Sequence, residues 1–108
     1  MNWSVETLNS TVDEELAALP ADMRARFVRI CNLIQEHGLP SVGQPYVKHI
    51  EKALWEIRLK GKDGISRALY VTAKPQRVII LRVFIKKTQK TPKKEIQLAL
   101  KRAKDIKS

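Results

Sequence analysis

The sequence has little of what cross-links small domains, with a single cysteine, Cys31, in 108 residues. One cysteine cannot form an internal disulfide, and no group of Cys and His has metal-ligand spacing, so we expect neither a disulfide framework nor a metal or other cofactor. Long apolar runs are also absent, because none exceeds four residues, whereas a membrane span needs about 20. The first residues lack the basic-then-apolar pattern of a secretory leader. We expect a cytoplasmic protein that does not enter membranes.

Common enzyme motifs are missing as well. The chain has no Ser/His/Asp arrangement, no Walker glycine loop and no Gly-x-Gly-x-x-Gly. Repeats and Gly/Ser-rich linkers are absent too, and 44% of the residues are hydrophobic. This length and composition predict one small folded domain over residues 1–108.

Positive charge is abundant and unevenly distributed. Lys and Arg number 21 against 11 Asp and Glu. Residues 1–47 carry three basic and six acidic side chains, whereas residues 48–108 carry eighteen and five. A basic half of this kind favours an anionic partner, above all nucleic acid, because Lys and Arg that neutralise phosphates release condensed counterions. A merely solubilising surface is the alternative.

Hydrophobic periodicity predicts an α+β fold of order β-α-α-β-β-β-α. The expected elements are a strand over 3–8, helices over 12–19 and 20–37, strands over 54–60, 66–73 and 77–85, and a last helix from residue 92. Short turns should join the last three strands into an antiparallel meander, with the two early helices covering one face. Thr11 and Thr91 are the expected N-caps of the first and last helices, and Cys31 lies in the apolar stripe of the second.

Three arginines, Arg58, Arg67 and Arg82, are expected on the face of the meander that the early helices leave uncovered. An arginine in an apolar central strand is costly to desolvate, so Arg82 should either pair with Glu56 or lead into a basic cleft. Three lysines directly after the last strand would extend such a cleft: Lys86, Lys87 and Lys90.

Cationic residues of this kind can cleave RNA without a metal. The 2′-hydroxyl is the nucleophile, a Lys or His removes its proton, and Arg stabilises the charge on the phosphorane. Crowding of lysines near arginines would lower a lysine pKa toward the range of a useful base. Lys48 and His49, just before the first meander strand, are further candidates for substrate binding, although a solvated His49 is the simpler interpretation.

Three segments resemble a known family: Leu54–Arg58, Arg67–Tyr70 and Ile80–Pro92. They are similar to the phage-derived, HigB-like branch of the RelE/ParE toxin superfamily, over about residues 46–104. The resemblance implies a toxin of a type II toxin–antitoxin system, neutralised by a cognate helix-turn-helix antitoxin. It also implies cleavage of mRNA in the A site of the small ribosomal subunit.

The resemblance assigns roles to particular residues. Arg67 would stabilise the transition state, and Lys86 or Lys87 would transfer the proton. Arg58 and Lys90 would bind substrate phosphates, and Arg82 stands where many relatives have His. Two other functions remain open: a ParE-like inhibitor of DNA gyrase, which performs no catalysis, and a non-catalytic nucleic-acid-binding protein.

Overall fold

A computed structural model describes residues 2–43, 46–86 and 90–106. Within these residues the helices are α1 (Ser10–Ala17), α2 (Ala21–His37) and α3 (Lys93–Ala103), with a short 3-10 helix at Leu39–Ser41. The strands are β1 (Ser4–Thr7), β2 (Val47–Glu51), β3 (Leu54–Gly61), β4 (Gly64–Ala73) and β5 (Arg77–Lys86). No helix in this part of the chain is both long and apolar enough to cross a membrane.

The described strands form one mixed sheet in the order β1-β5-β4-β3-β2. Strand β1 runs parallel to β5, and the other neighbours are antiparallel. This confirms the predicted α+β fold and its meander, β3-β4-β5. Strand β2, which the sequence analysis did not predict, extends the sheet beyond β3.

The sheet buries apolar side chains on both faces. Helices α1 and α2 pack on one face, as predicted, through residues such as Val12, Met23 and Ile34. Helix α3 packs on the opposite face through Ala99, with Leu100 beside it. The last helix therefore covers part of the face that was expected to be uncovered.

Both predicted helix caps are wrong. Helix α1 begins two residues earlier than a cap at Thr11 would require, and the side chain of Asn9 accepts the Val12 N–H at 3.2 Å. Helix α3 begins after Pro92 with no capping side chain. A hydroxyl can bond to any donor or acceptor within reach, and the hydroxyl of Thr91 bonds to the carboxylate of Glu56 instead.

A β-bulge in β5 decides which side chains reach the face opposite α1 and α2. Leu69 of β4 is paired with Arg82, whereas the next residue, Tyr70, is paired with Ile80, so Leu81 has no partner in β4. An extra residue shifts the two-residue alternation of a strand by one position. Beyond the bulge, Arg82, Phe84 and Lys86 therefore lie on the face that α3 partly covers.

Candidate functional site

On the face of the sheet that α3 partly covers, basic side chains and one buried carboxylate lie in three adjacent cross-strand rows. Cross-strand partners lie side by side on one face of a sheet, and so do residues two apart in a strand. The rows are Lys48–Glu56–Leu69–Arg82, Arg58–Arg67–Phe84 and Lys60–Ile65–Lys86. Sequence-distant charges are thus brought together by strand register.

Glu56 is the centre of this arrangement. Its side chain is fully buried, and that of Arg67 is 2% exposed. Nη1 of Arg67 donates a hydrogen bond to Oε2 of Glu56, and the Thr91 hydroxyl donates to Oε1 at 2.6 Å. A buried carboxylate is tolerated only where partners of this kind compensate for its lost hydration. Glu56 therefore anchors both the guanidinium of Arg67 and the chain that leads into α3.

Lys86 is also a buried charge in the strands of this face, with 6% of its surface exposed. The pKa of Lys86 is lowered from 10.5 to about 8, mainly by burial and next by the positive charge of Arg67. The negative charge of Glu56 acts in the opposite direction, and Arg58 and Lys48 add smaller lowering effects. Because these interactions require proximity, we define the basic cluster as Lys48, Glu56, Arg58, Arg67 and Lys86.

The basic cluster combines two chemical capacities. Guanidinium groups stabilise negative charge that develops on a phosphoryl group, and Arg67 is held in one orientation by Glu56. An amine with a pKa near 8 is partly neutral at physiological pH and can accept a proton. At the rim of the cluster, Arg58 is half-buried and Lys48 is exposed.

Arg82, predicted as a catalytic residue, lies outside the basic cluster. Its Nη1 is 2.8 Å from Oε2 of Glu15, and its Nε donates to Oε1 of Glu95 at 2.8 Å. Glu15 also accepts a hydrogen bond from Nη1 of Arg102, through Oε1 at 3.1 Å. These ion pairs connect α1, β5 and α3, and they raise the pKa of Arg82, with the hydrogen bond to Glu95 as the main cause.

The alternative that Arg82 pairs with Glu56 is wrong. Leu69 lies between the two in their row, which places them two strands apart, or about 9–10 Å. Arg67 is on the strand next to Glu56 and takes the carboxylate. The expectation of an open cleft lined by all three arginines is therefore corrected, since Arg67 is buried and Arg82 is ion-paired elsewhere.

The remaining predicted site residues are not all brought together. His49 pairs with Trp55 across β2 and β3 and points to the other face of the sheet. Its ring centroid is 4.9 Å from that of Trp55, and its Nε2 is 2.7 Å from the carbonyl oxygen of Lys52. Lys90 is exposed just before Thr91, and Lys87 lies outside the described residues.

Glu56 and Thr91 are site residues that the sequence pattern does not reveal. Glu56 alternates with apolar residues in β3 as a solvent-facing residue would, so its complete burial left no signal in the pattern. Thr91 directly precedes a proline, which favours a helix cap. No group of three or more His, Cys, Asp and Glu in the described ranges is arranged to hold a metal ion.

Comparisons with known proteins agree with this fold. The model of the family described as Phage derived protein Gp49-like (DUF891) matches residues 14–104. A solved structure of a mutant of the E. coli toxin RelE in the free state is 14% identical, has a TM-score of 0.66, and covers 94% of this chain and 98% of that chain. The archaeal RelE–RelB complex from Pyrococcus horikoshii OT3 gives 21% identity, a TM-score of 0.57, and coverage of 79% and 96%. No curated protein matches. The similarity confirms the predicted RelE-like fold.

Proposed function

The chain belongs to the phage-derived Gp49-like family, and from this membership and its basic cluster we propose that it is the toxin of a type II toxin–antitoxin pair that cleaves mRNA on the ribosome. The observation that carries the proposal is the burial of Arg67 and Lys86 around one carboxylate, Glu56. A purely electrostatic binding surface gains nothing from buried cations, because desolvation is costly. A site that stabilises a reacting phosphate does gain, because charges act more strongly in a low dielectric.

In the proposed reaction the 2′-hydroxyl of the substrate gives its proton to Nζ of Lys86. The 2′-oxygen then attacks the adjacent phosphorus, and the 5′-oxygen leaves as a hydroxyl after taking a proton from water. The products are a 2′,3′-cyclic phosphate and a new 5′-hydroxyl end. At a pKa of about 8, roughly a tenth of the lysine is neutral at pH 7, compared with less than about a thousandth at an ordinary lysine pKa.

The other basic residues have supporting roles in this proposal. Arg67 stabilises the phosphorane, and Arg58 and Lys48 bind flanking phosphates at the rim. Lys90, exposed beyond β5, and Lys87 are proposed as further contacts to the substrate. Arg82 is assigned no catalytic role, because both of its glutamate partners hold it between α1 and α3.

An antitoxin partner is also proposed. The archaeal relative was solved as a RelE–RelB complex, and α3 of this chain presents exposed cations at Lys93, Lys94 and Lys101. We propose that an acidic segment of a helix-turn-helix antitoxin binds against α3. Replacing these lysines together should weaken binding and flatten its salt dependence, as titration calorimetry at two salt concentrations can measure. Unchanged affinity would place the antitoxin elsewhere.

The nuclease proposal is tested with purified protein, ribosomes and a defined mRNA, followed by primer extension. Wild type should produce stops in phase with codons. Lys86→Met, which removes the amine, should slow cleavage by about 10²–10⁴-fold. Because Arg67→Ala leaves a buried carboxylate uncompensated, Arg67→Lys is the companion variant that keeps the charge and loses the guanidinium geometry. The control Lys101→Met removes an exposed charge and should cleave as wild type.

Two results would overturn the proposal. The first is that the wild-type protein arrests cell growth and causes DNA damage while mRNA stays intact. This result would favour a gyrase inhibitor. Cleavage by folded Lys86→Met and Arg67→Lys at the wild-type rate would remove the assigned roles.

A further inference from the structure

A second cationic site lies at the edge of the sheet beyond the basic cluster. Pairing of β2 with β3 ends at Val47 opposite Ile57, and the backbone N–H of Arg58 then donates to the Tyr46 carbonyl at 2.8 Å. Past this point the described residues place no strand beside β3. The result is a cavity of about 320 Å³, at the lower end of the size range of small-ligand pockets, roughly 300–1,000 Å³.

The lining of this cavity combines cations with an aromatic ring. We call this cavity the edge notch and define it by its lining residues: Arg26, Tyr46, Arg58, Lys60 and Ile65. Three of the five are basic and none is acidic. A pocket with this charge selects an anionic occupant.

The nearest acidic residue of α2 is engaged elsewhere. Asp22, one turn before Arg26, accepts the backbone N–H of Lys62 through Oδ2 at 2.9 Å. It also accepts the Met23 N–H through Oδ1 at 2.9 Å. No ion pair joins Asp22 to Arg26 within the described residues. The guanidinium of Arg26 is therefore not neutralised by its own helix.

Tyr46 gives the edge notch a second kind of recognition. Its side chain is 42% exposed, and Ile65 supplies an apolar surface within the same cavity. A large aromatic ring left partly in water beside cations is the arrangement that binds single-stranded nucleic acid, where bases stack on the ring and phosphates contact the cations. An acidic peptide would use the cations and leave the ring unused.

The edge notch is continuous with the basic cluster through one residue. Arg58 lines the cavity and is paired with Arg67 in β3 and β4. Lys60 lies two residues further along β3, about 7 Å away. A polyanion held at Arg58 can therefore extend along the strand from one site into the other.

We propose that the edge notch binds a nucleotide of single-stranded RNA adjacent to the one held at the basic cluster. The base stacks on Tyr46, and its phosphate contacts Arg26 and Lys60. This inference rests on the proposed function, because it takes the same RNA as the ligand. It adds a binding site that does not touch the reacting phosphate.

The test measures binding of a fluorescein-labelled 2′-O-methyl RNA octamer by anisotropy. The probe keeps the bases and phosphates but lacks the nucleophile, so binding does not depend on catalysis. Tyr46→Ala should weaken binding about tenfold with an unchanged salt slope, and Tyr46→Phe should bind as wild type. Arg26→Ala should reduce the slope of log K against log salt by about 0.7 between about 50 and about 200 mM.

Arg24→Ala is the matched control for Arg26→Ala. It removes the same charge from an exposed position of the same helix, but two residues along a helix turn about 200°, to the other side. It should keep the wild-type salt slope. Arg26 and Tyr46 are both exposed, so their replacement should leave the fold intact, as thermal unfolding by circular dichroism can verify.

The outcomes separate this inference from the nuclease proposal. Wild-type probe binding by folded Tyr46→Ala and Arg26→Ala would overturn the edge notch as an RNA site, even if mRNA is cleaved. Weakened binding by both variants would support it, even if wild type leaves ribosome-bound mRNA intact and the nuclease proposal falls. A third outcome would also overturn the edge notch as an RNA site: the RNA probe does not bind, whereas an octaglutamate peptide binds and needs Arg26 to do so.

Discussion

Replacing Lys86 with Met should stabilise the protein at neutral pH while removing its proposed catalytic amine. Lys86 is almost fully buried beside the cations of the basic cluster. Its pKa of about 8 means that folding disfavours the charged form. At pH 7 the lysine is mainly protonated in both the folded and the unfolded chain, so the folded state bears the full cost of this charge.

The magnitude follows from the two pKa values. The pKa falls from 10.5 to about 8, and each pKa unit corresponds to 1.36 kcal/mol, so the cost at pH 7 is about 3 kcal/mol. Between about pH 8 and 10.5 the unfolded chain binds more protons than the folded one, and wild-type stability therefore rises with pH in this window. Loss of a lysine hydrogen bond costs about 1 kcal/mol. The variant should be about 2 kcal/mol more stable at pH 7, and this advantage should vanish as the pH approaches 10.

Urea unfolding followed by tryptophan fluorescence measures the difference directly. Other lysines titrate in the same range, but their effects cancel when the variant is compared with wild type at each pH. Lys60→Met, which removes an exposed strand lysine, is the control and should not be stabilised at pH 7, because an exposed ammonium keeps its hydration. A stability difference between Lys86→Met and wild type that stays constant from about pH 7 to 10 would refute the reasoning, because a depressed pKa requires it to change.

Three further predictions concern other buried or paired groups. Glu56→Gln should move the pH–rate profile of cleavage to lower pH, because the negative charge of Glu56 raises the pKa of Lys86 and its removal lowers that pKa; a shift to higher pH would be inconsistent with this coupling. Arg82→Ala should lower the free energy of unfolding by about 2 kcal/mol, because Glu15 loses a partner. Cleavage per folded Arg82→Ala molecule should stay at the wild-type rate, and a large loss would restore Arg82 as a catalytic candidate. Burial raises the pKa of Cys31 to about 12. Iodoacetamide at pH 8 should therefore label the native protein at least about tenfold more slowly than the unfolded chain. Equal labelling rates would contradict this prediction.

The elements of the meander could be predicted from sequence because their signals are local. Strand β3 alternates apolar and polar residues, and Gly61 and Gly64 mark its turn into β4. Gly64 has a φ of +144°, a conformation that favours glycine. Strand β2 lacks such a pattern: of its five residues only Val47 is buried, because it is the edge strand and little packs on its outer residues.

The composition of the site was only partly predictable, because it depends on register. Arg67 and Arg58 face the same side because the two-residue turn between Gly61 and Gly64 sets the register of β3 and β4. Lys86 reaches that side only because the bulge at Leu81 shifts the alternation of β5 by one residue. Nothing local in the run Val78–Ile85 indicates where the extra residue lies, since the run is apolar on both faces before and after Arg82.

The single carboxylate of the basic cluster resolves two opposing requirements. Without Glu56, burial of Arg67 and Lys86 together would place two desolvated like charges in one site, which costs several kcal/mol per ion. A second carboxylate would lower the net positive charge of the cluster and weaken its attraction for phosphate. One carboxylate among four cations compensates the most buried guanidinium and leaves the cluster positively charged. It also limits how far the pKa of Lys86 falls. That pKa therefore stays near the working pH, where a general base is most effective.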